Sequence, residues 1–279
     1  MRRVATYRAD LEYEGTRYHG WQVQANARSI AGELRRAMAE AGADVVDLGG
    51  SGRTDAGVHA LRQTAHVRLR RELDPAGLRP RVNDGLPFDI HLLELKRVPE
   101  RFHARHDALA RSYLYQVALR RAALAKRFVW WVKRPLDAAR MAEAAADLTG
   151  RHDFRWFCER PSEQASTVVV VESVELARAG DLLLLRLVAS HFLWKMVRRL
   201  VGALVRVGSG ELRPEELRGF LRPRASGESP VAAWTAPPSG LFLERVLYPG
   251  EPPLGPLAPV VPVPSSAGPT TLGSRPTAI

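Results

Sequence analysis

The twelve residues GGSGRTDAGVHA, 49–60, gather hydroxyls, an arginine, a carboxylate and a histidine among four glycines. Three familiar chemistries are excluded by spacing. A phosphate-cradling P-loop requires Lys after its second glycine, and Val58 follows Gly57. In a dinucleotide-binding G-x-G-x-x-G turn the third glycine would stand at Asp55; Gly57 arrives two residues late. A nucleophile elbow requires glycine two residues after its serine, where Ser51 has Arg53. What remains is Asp55 on a glycine-hinged loop, two residues after Arg53. Glycines let a backbone come close to a substrate. Arg53 either neutralises a phosphate or holds Asp55 ionised, since a nearby cation favours a carboxylate's charged form. The alternative is that Asp55 is a turn former with Arg53 as its ion-pair partner.

Charge narrows the partner. The 279-residue chain carries 41 Lys and Arg against 30 acids, a formal net charge of +11. Between Arg101 and Arg134 nine cations face one acid, Asp107. A patch of this kind is the electrostatic footprint of a polyanion, nucleic acid above all. The competing partner, an anionic membrane surface, requires a basic amphipathic helix with bulky apolar residues, and none is evident. With no run of 18 apolar residues and no apolar leader after MRRVATYRADLEY, neither a membrane span nor a secretory signal is expected. The one cysteine, Cys158, excludes internal disulfides and cysteine-built zinc sites, and fits a reducing cytoplasm.

The elements around the loop read as α+β. Residues 4–13 alternate, with Tyr7, Ala9, Leu11 and Tyr13 on one face and Arg8, Asp10 and Glu12 on the other, which predicts a half-buried antiparallel strand. Ser29 caps a helix to about Ala41; strands follow over 45–48 and 61–69. The segment RVNDGLPFDIHLLEL reads as a loop and then a strand at 91–96, and 111–119 as another strand. Asp137 caps a helix closed by Gly150, and 168–176 with 182–188 form a hairpin around Gly180. Leu193, Met196, Val197, Leu200, Val201 and Leu204 recur at helical spacing, Pro214 opens a short helix, and 241–248 is a last strand. Strand–helix–strand–strand occurs in each half, without the steady alternation of a doubly wound sheet, so an antiparallel sheet is expected. From Pro249 onward nine of 31 residues are Pro and only Glu251 and Arg275 are charged. That composition predicts an unstructured tail with polyproline character.

Six stretches, in order, resemble the TruA-type tRNA pseudouridine synthases: YEGTRYHGWQVQ, GSGRTDAGVHA, the run of Asn83, Leu86, Pro87, Asp89 and Ile90, FHARHDALARSYLY, FLWKMVRRLVGALVRVG and APPSGLFLERVLYP. The resemblance spans residues 4–249; Trp194-Lys195 departs from the commonest form of its motif. It implies the pseudouridine synthase fold: two RRM-like (ferredoxin-like) halves, 1–105 and 106–249, sharing a mostly antiparallel sheet with a central basic cleft, followed by the tail 250–279.

The implied activity is isomerisation of uridine to pseudouridine at positions 38, 39 and 40 of the tRNA anticodon arm, by a homodimer with the tRNA across both subunits, without cofactor or metal. Asp55 matches the family's catalytic aspartate, as nucleophile at the sugar or base at C2′. Tyr113 matches its active-site tyrosine, able to stack on uracil, and Arg198 its helix arginine, paired with the aspartate. Arg53 is expected to fill the space left by the flipped base or grip the backbone, and Arg105, Arg111 and Arg199 to meet phosphates. His103 and His106 lack the partners of a metal motif and read as RNA contacts or loop packing. The rival class is a non-catalytic tRNA-binding protein on the same scaffold, which would gain nothing from an acid facing phosphate.

Overall fold

Ser29 accepts a hydrogen bond from Gly32 N and starts the first helix where the motif places it. The computed structural model describes residues 4–222 and 230–266. In chain order the elements are β1 (Ala5–Tyr13), α1 (Ile30–Glu40), β2 (Val45–Gly50), β3 (His59–Leu69), α2 (Pro75–Gly85), β4 (Ile90–Arg97), β5 (Ala110–Ala118), β6 (Trp130–Trp131), α3 (Ala138–Ala146), β7 (Gly150–Asp153), β8 (Val168–Ala179), β9 (Leu182–Ala189), α4 (Met196–Gly208), α5 (Pro214–Gly219) and β10 (Leu241–Leu247). The chain is α+β, as expected. Its strands form one sheet in the order β4-β1-β3-β10-β5-β9-β8-β7, with β2 on β3 and β6 on β5. Pairing is antiparallel apart from β10 with β3 and β6 with β5.

The order β4-β1-β3-β2 recurs as β10-β5-β9-β8. The two sets meet where β10 lies between β3 and β5. There Ala60, Leu243 and Tyr113 stand in register across three strands. This seam fixes the glycine-rich loop, which runs directly into β3, beside the middle of β5.

Residues alternate between two apolar layers across β5 and β9. Tyr113, Tyr115 and Val117, with Leu183, Leu185 and Leu187, join the core built with the helices. Leu114 and Ala118, with Leu182 and Leu184, join Phe242 in a smaller layer on the opposite face. Among the described residues no helix is long and apolar enough to cross a membrane.

Three departures have physical causes. β1 is buried on both faces, not one: Arg8 and Asp10 are 7% and 0% exposed. Arg8 donates to both Asp10 carboxylate oxygens at 2.9 and 3.0 Å, and Thr64 and Arg62 complete the acid's partners. A buried charge persists only when paired in this way. The second departure is α2, where a loop is expected through 81–85. Asp74 caps it through Ala76 N and Gly77 N, Pro75 occupies the first turn, and Leu78 and Val82, one turn apart, bury completely. Proline and glycine content conceals a helix whose stability comes from packing on α1 and β4.

The third departure is the tail. Over 250–266 the chain lies on the smaller apolar layer, with Leu257, Val260, Val261 and Val263 against it. Side chains of β5, β9 and the turn between β8 and β9 supply partners for its backbone. Gln116 Oε1 accepts from Val260 N at 2.7 Å, Arg186 donates to Gly255 O at 3.0 Å, and Asp181 accepts from Ser266 N at 2.8 Å. The remaining expected tail, 267–279, lies outside the described residues.

Candidate active site

The loop 51–58 is tied down at both ends. Ser51 Oγ donates to Gln63 Oε1 at 2.7 Å, and Gln63 Nε2 returns to Gly52 O at 3.0 Å. Further on, Val58 N bonds Asp55 O at 3.1 Å, a turn that Gly57 completes with φ +77°. Asp55 is thus a turn residue in its backbone, while its side chain is free for other work. The YEGTRYHGWQVQ loop packs on this turn: Trp21 N donates to Thr54 O at 3.1 Å, and the Tyr13 and Thr54 hydroxyls meet at 2.9 Å. Gly20, at φ +90°, makes that approach possible, because a Cβ there would stand 2.4 Å from Thr54 O.

From the other half, the first turn of α4 delivers Arg198. Its Nη1 reaches Asp55 Oδ2 at 3.3 Å, and its Nε donates to Ala236 O at 2.7 Å. The Ala236 carbonyl therefore aims the guanidinium. Both side chains remain partly accessible, 14% for Arg198 and 23% for Asp55, so the pair opens onto solvent. Among the described residues Asp55 has Arg198 as its ion-pair partner, not Arg53. Arg53 is exposed. Tyr113 lies across the seam, edge-on to Phe192 with ring centroids 5.0 Å apart. Burial pushes its hydroxyl pKa up, and the charges of Tyr13 and Asp55 add to the shift.

Asp55, Tyr113 and Arg198 line one cleft of about 1380 Å³, together with Arg53 and Arg105. Eight Lys and Arg line it against three acids. Of the arginines expected at phosphates, Arg111 lines the cleft but is only 8% exposed, and Arg199 is 4% exposed and does not line it. Arg111 donates to the carbonyls of Ser51 at 2.9 Å, Arg105 at 2.7 Å and Ser190 at 2.8 Å, stitching the glycine loop to both flanks of β5. Arg199 pairs with Glu159, and burial lowers the pKa of both arginines. Residue type and charge do not distinguish a guanidinium that holds carbonyls from one that meets phosphate.

The His103 and His106 rings lie tilted to each other with centroids 4.2 Å apart, and His103 is tilted against the buried His66 at 4.3 Å. His103 Nδ1 accepts from Arg105 N at 3.2 Å, so this ring orders the basic loop. Burial, then the neighbouring His106 charge, lowers its pKa. Sequence reading missed His66, Gln63 and the Ala236 carbonyl; none stands out by type, because their role arises from register alone.

A carboxylate half-sunk in a loop, aimed by a guanidinium, beside an aromatic ring and inside a cation-lined cleft can attack or deprotonate a sugar whose phosphates the cations hold. Residues 144–249 match the family model for tRNA pseudouridine synthase. Curated relatives named tRNA pseudouridine synthase A match far more of the chain. The protein of Agrobacterium fabrum is 38% identical over 248 residues, covering 87% of this chain and 92% of its own. That of Mesorhizobium japonicum is 41% identical, with 87% and 99% covered, and that of Nitrobacter winogradskyi 40%, with 89% and 97%. A crystal structure of an unknown protein from Galdieria sulphuraria covers 74% of this chain and 92% of its own at 11% identity, with a TM-score of 0.23, too low to bear on the fold. With relatives of this identity spanning nearly their whole length, the chain belongs to the tRNA pseudouridine synthase A family.

Proposed function

We propose that the protein isomerises uridine to pseudouridine in tRNA, at positions 38, 39 and 40 of the anticodon arm, with Asp55 as the catalytic carboxylate. The observation that carries the reading is the meeting of Asp55, Arg198 and Tyr113 in one cleft, on elements from both halves of the chain. In the reaction the bond from N1 to C1′ breaks, the uracil turns, and C5 bonds to C1′. The proton on C5 leaves to solvent and N1 gains one, so nothing is oxidised or hydrolysed overall.

The target base must leave the helical stack, at a cost of roughly a few kcal/mol. Tyr113 is its stacking surface. Arg198 holds the Asp55 carboxylate toward the ribose, and Arg53, exposed on the same loop, takes the space or backbone the base vacates. Arg105 meets phosphate. Arg111 holds the cleft wall through its carbonyl contacts, and Arg199 acts from behind, as scaffold.

The repeated strand order supports two RRM-like halves, 1–105 and 106–249, with the basic cleft between them. The homodimer rests on the family resemblance, and sedimentation of the free protein tests it. The activity is tested by tritium release from tRNA labelled at uridine C5. Wild type releases tritium; Asp55→Ala binds the same tRNA and releases none. A wild type that binds tRNA without releasing tritium would be a binding protein only.

A further inference from the structure

Trp194 stands on the rim of the cleft, four residues before Arg198, and is 41% exposed. Exposed apolar side chains scattered singly need no explanation, but this one has unusual surroundings. The Arg160 guanidinium carbon lies 5.4 Å from its ring centroid and Lys195 Nζ 5.6 Å. Arg160 and Lys195 are also the two non-glycine residues with positive φ among the described residues, at 49° and 61°. Backbone strain of this kind persists where the surroundings enforce it, and it gathers at ligand-binding positions.

The enforcement is visible. Glu159 N donates to Trp194 O at 2.9 Å, and the Glu159 carboxylate pairs with Lys195 at 3.3 Å and with the buried Arg199. One acid thus binds the turn entering α4 to the 159–166 loop and fixes the indole at the cleft mouth. The cations do not exclude a ligand from the ring. At an exposed site their attraction to it is weaker than base stacking, and each would exchange an acid partner for phosphate, Lys195 leaving Glu159 and Arg160 leaving Glu163, both at 3.3 Å.

We infer that Trp194 is a stacking platform for an unpaired RNA base next to the flipped uridine, with Arg160 and Lys195 taking the phosphates on either side. The inference rests on tRNA being the substrate. It assigns substrate holding to a residue pair in which the chain departs from its family's commonest motif, and leaves the chemical step to Asp55.

Trp131 provides a matched control: it is 37% exposed, with Arg121 at 5.8 Å and Lys133 at 5.6 Å, and does not line the cleft. The experiment measures Kd for unmodified tRNA transcript by filter retention, and the single-turnover rate of tritium release at saturating protein. Trp194→Ala is expected to weaken binding about tenfold, with the saturated rate within about twofold of wild type. Trp194→Phe keeps most of the affinity because it keeps a π face; Trp194→Leu, apolar without one, behaves as the alanine variant. Trp131→Ala binds as wild type. Unchanged Kd for Trp194→Ala, or full rescue by Trp194→Leu, would overturn the inference, the latter by reducing Trp194 to packing. Absence of release by wild type would instead defeat the proposed activity, and Kd would still decide the role of Trp194.

Discussion

At the residue scale, the site depends on a guanidinium that makes two contacts at once. Arg198 reaches Asp55 through Nη1 and Ala236 O through Nε, a geometry that a lysine's single ammonium cannot reproduce. Arg198→Ala and Arg198→Lys are therefore both expected to slow single-turnover isomerisation by about 100-fold, the cost of a misplaced reacting group. Their tRNA affinity should change far less, and a lysine variant with wild-type rate would refute the two-contact role. Asp55, Tyr113 and Arg198 were legible in the sequence because their motifs are long. Arg111 and Arg199 were legible as arginines but not as buried ones. Burial depends on which carbonyls and acids the fold brings near: Ser190 O is 79 residues from Arg111 along the chain, and Glu159 is 40 from Arg199.

At the scale of elements, the catalytic loop is shaped by a second loop pressed against it. Gly20 is one of the two close points of that approach, and its positive φ adds strain for any side chain. Gly20→Ala is expected to cost roughly 1–3 kcal/mol of stability, read from urea denaturation, and to slow isomerisation because Thr54 and with it Asp55 must shift. Stability and rate both unchanged would show that the two loops are not coupled. The capped helices and the hairpin were readable from polar caps and apolar period. α2 was not: its Gly77, Pro80 and Gly85 disfavour a helix, and the Asp74 cap together with the burial of Leu78 and Val82 in the folded molecule sustains it.

At the scale of the whole molecule, the sheet seam brings a carboxylate from one half to an arginine from the other, so neither half alone holds the pair. Net charge pointed to the polyanion, but its distribution had to come from the fold. Of the four arginines expected against RNA, Arg53 and Arg105 are exposed, Arg111 is a nearly buried part of the cleft wall, and Arg199 is buried away from the cleft. Removal of an exposed cation that meets phosphate should flatten the dependence of log Kd on log salt by about one unit. Arg53→Ala and Arg105→Ala are each expected to do so, measured by filter retention between low and moderate salt. An unaltered slope would remove that residue from the RNA contact. The tail illustrates the converse limit of composition: prolines forecast a chain without internal hydrogen bonds, but not that Gln116, Asp181 and Arg186 would supply partners from the sheet.

The most direct test is Asp55→Asn, which keeps the side chain's shape and removes its charge. Pseudouridine formed in an unmodified tRNA transcript is measured in a single turnover alongside Kd for the same RNA. The expected result is a loss of at least about 1000-fold in rate with affinity within about threefold of wild type. An asparagine variant that still forms pseudouridine near the wild-type rate would contradict the assignment of Asp55 as the reacting carboxylate.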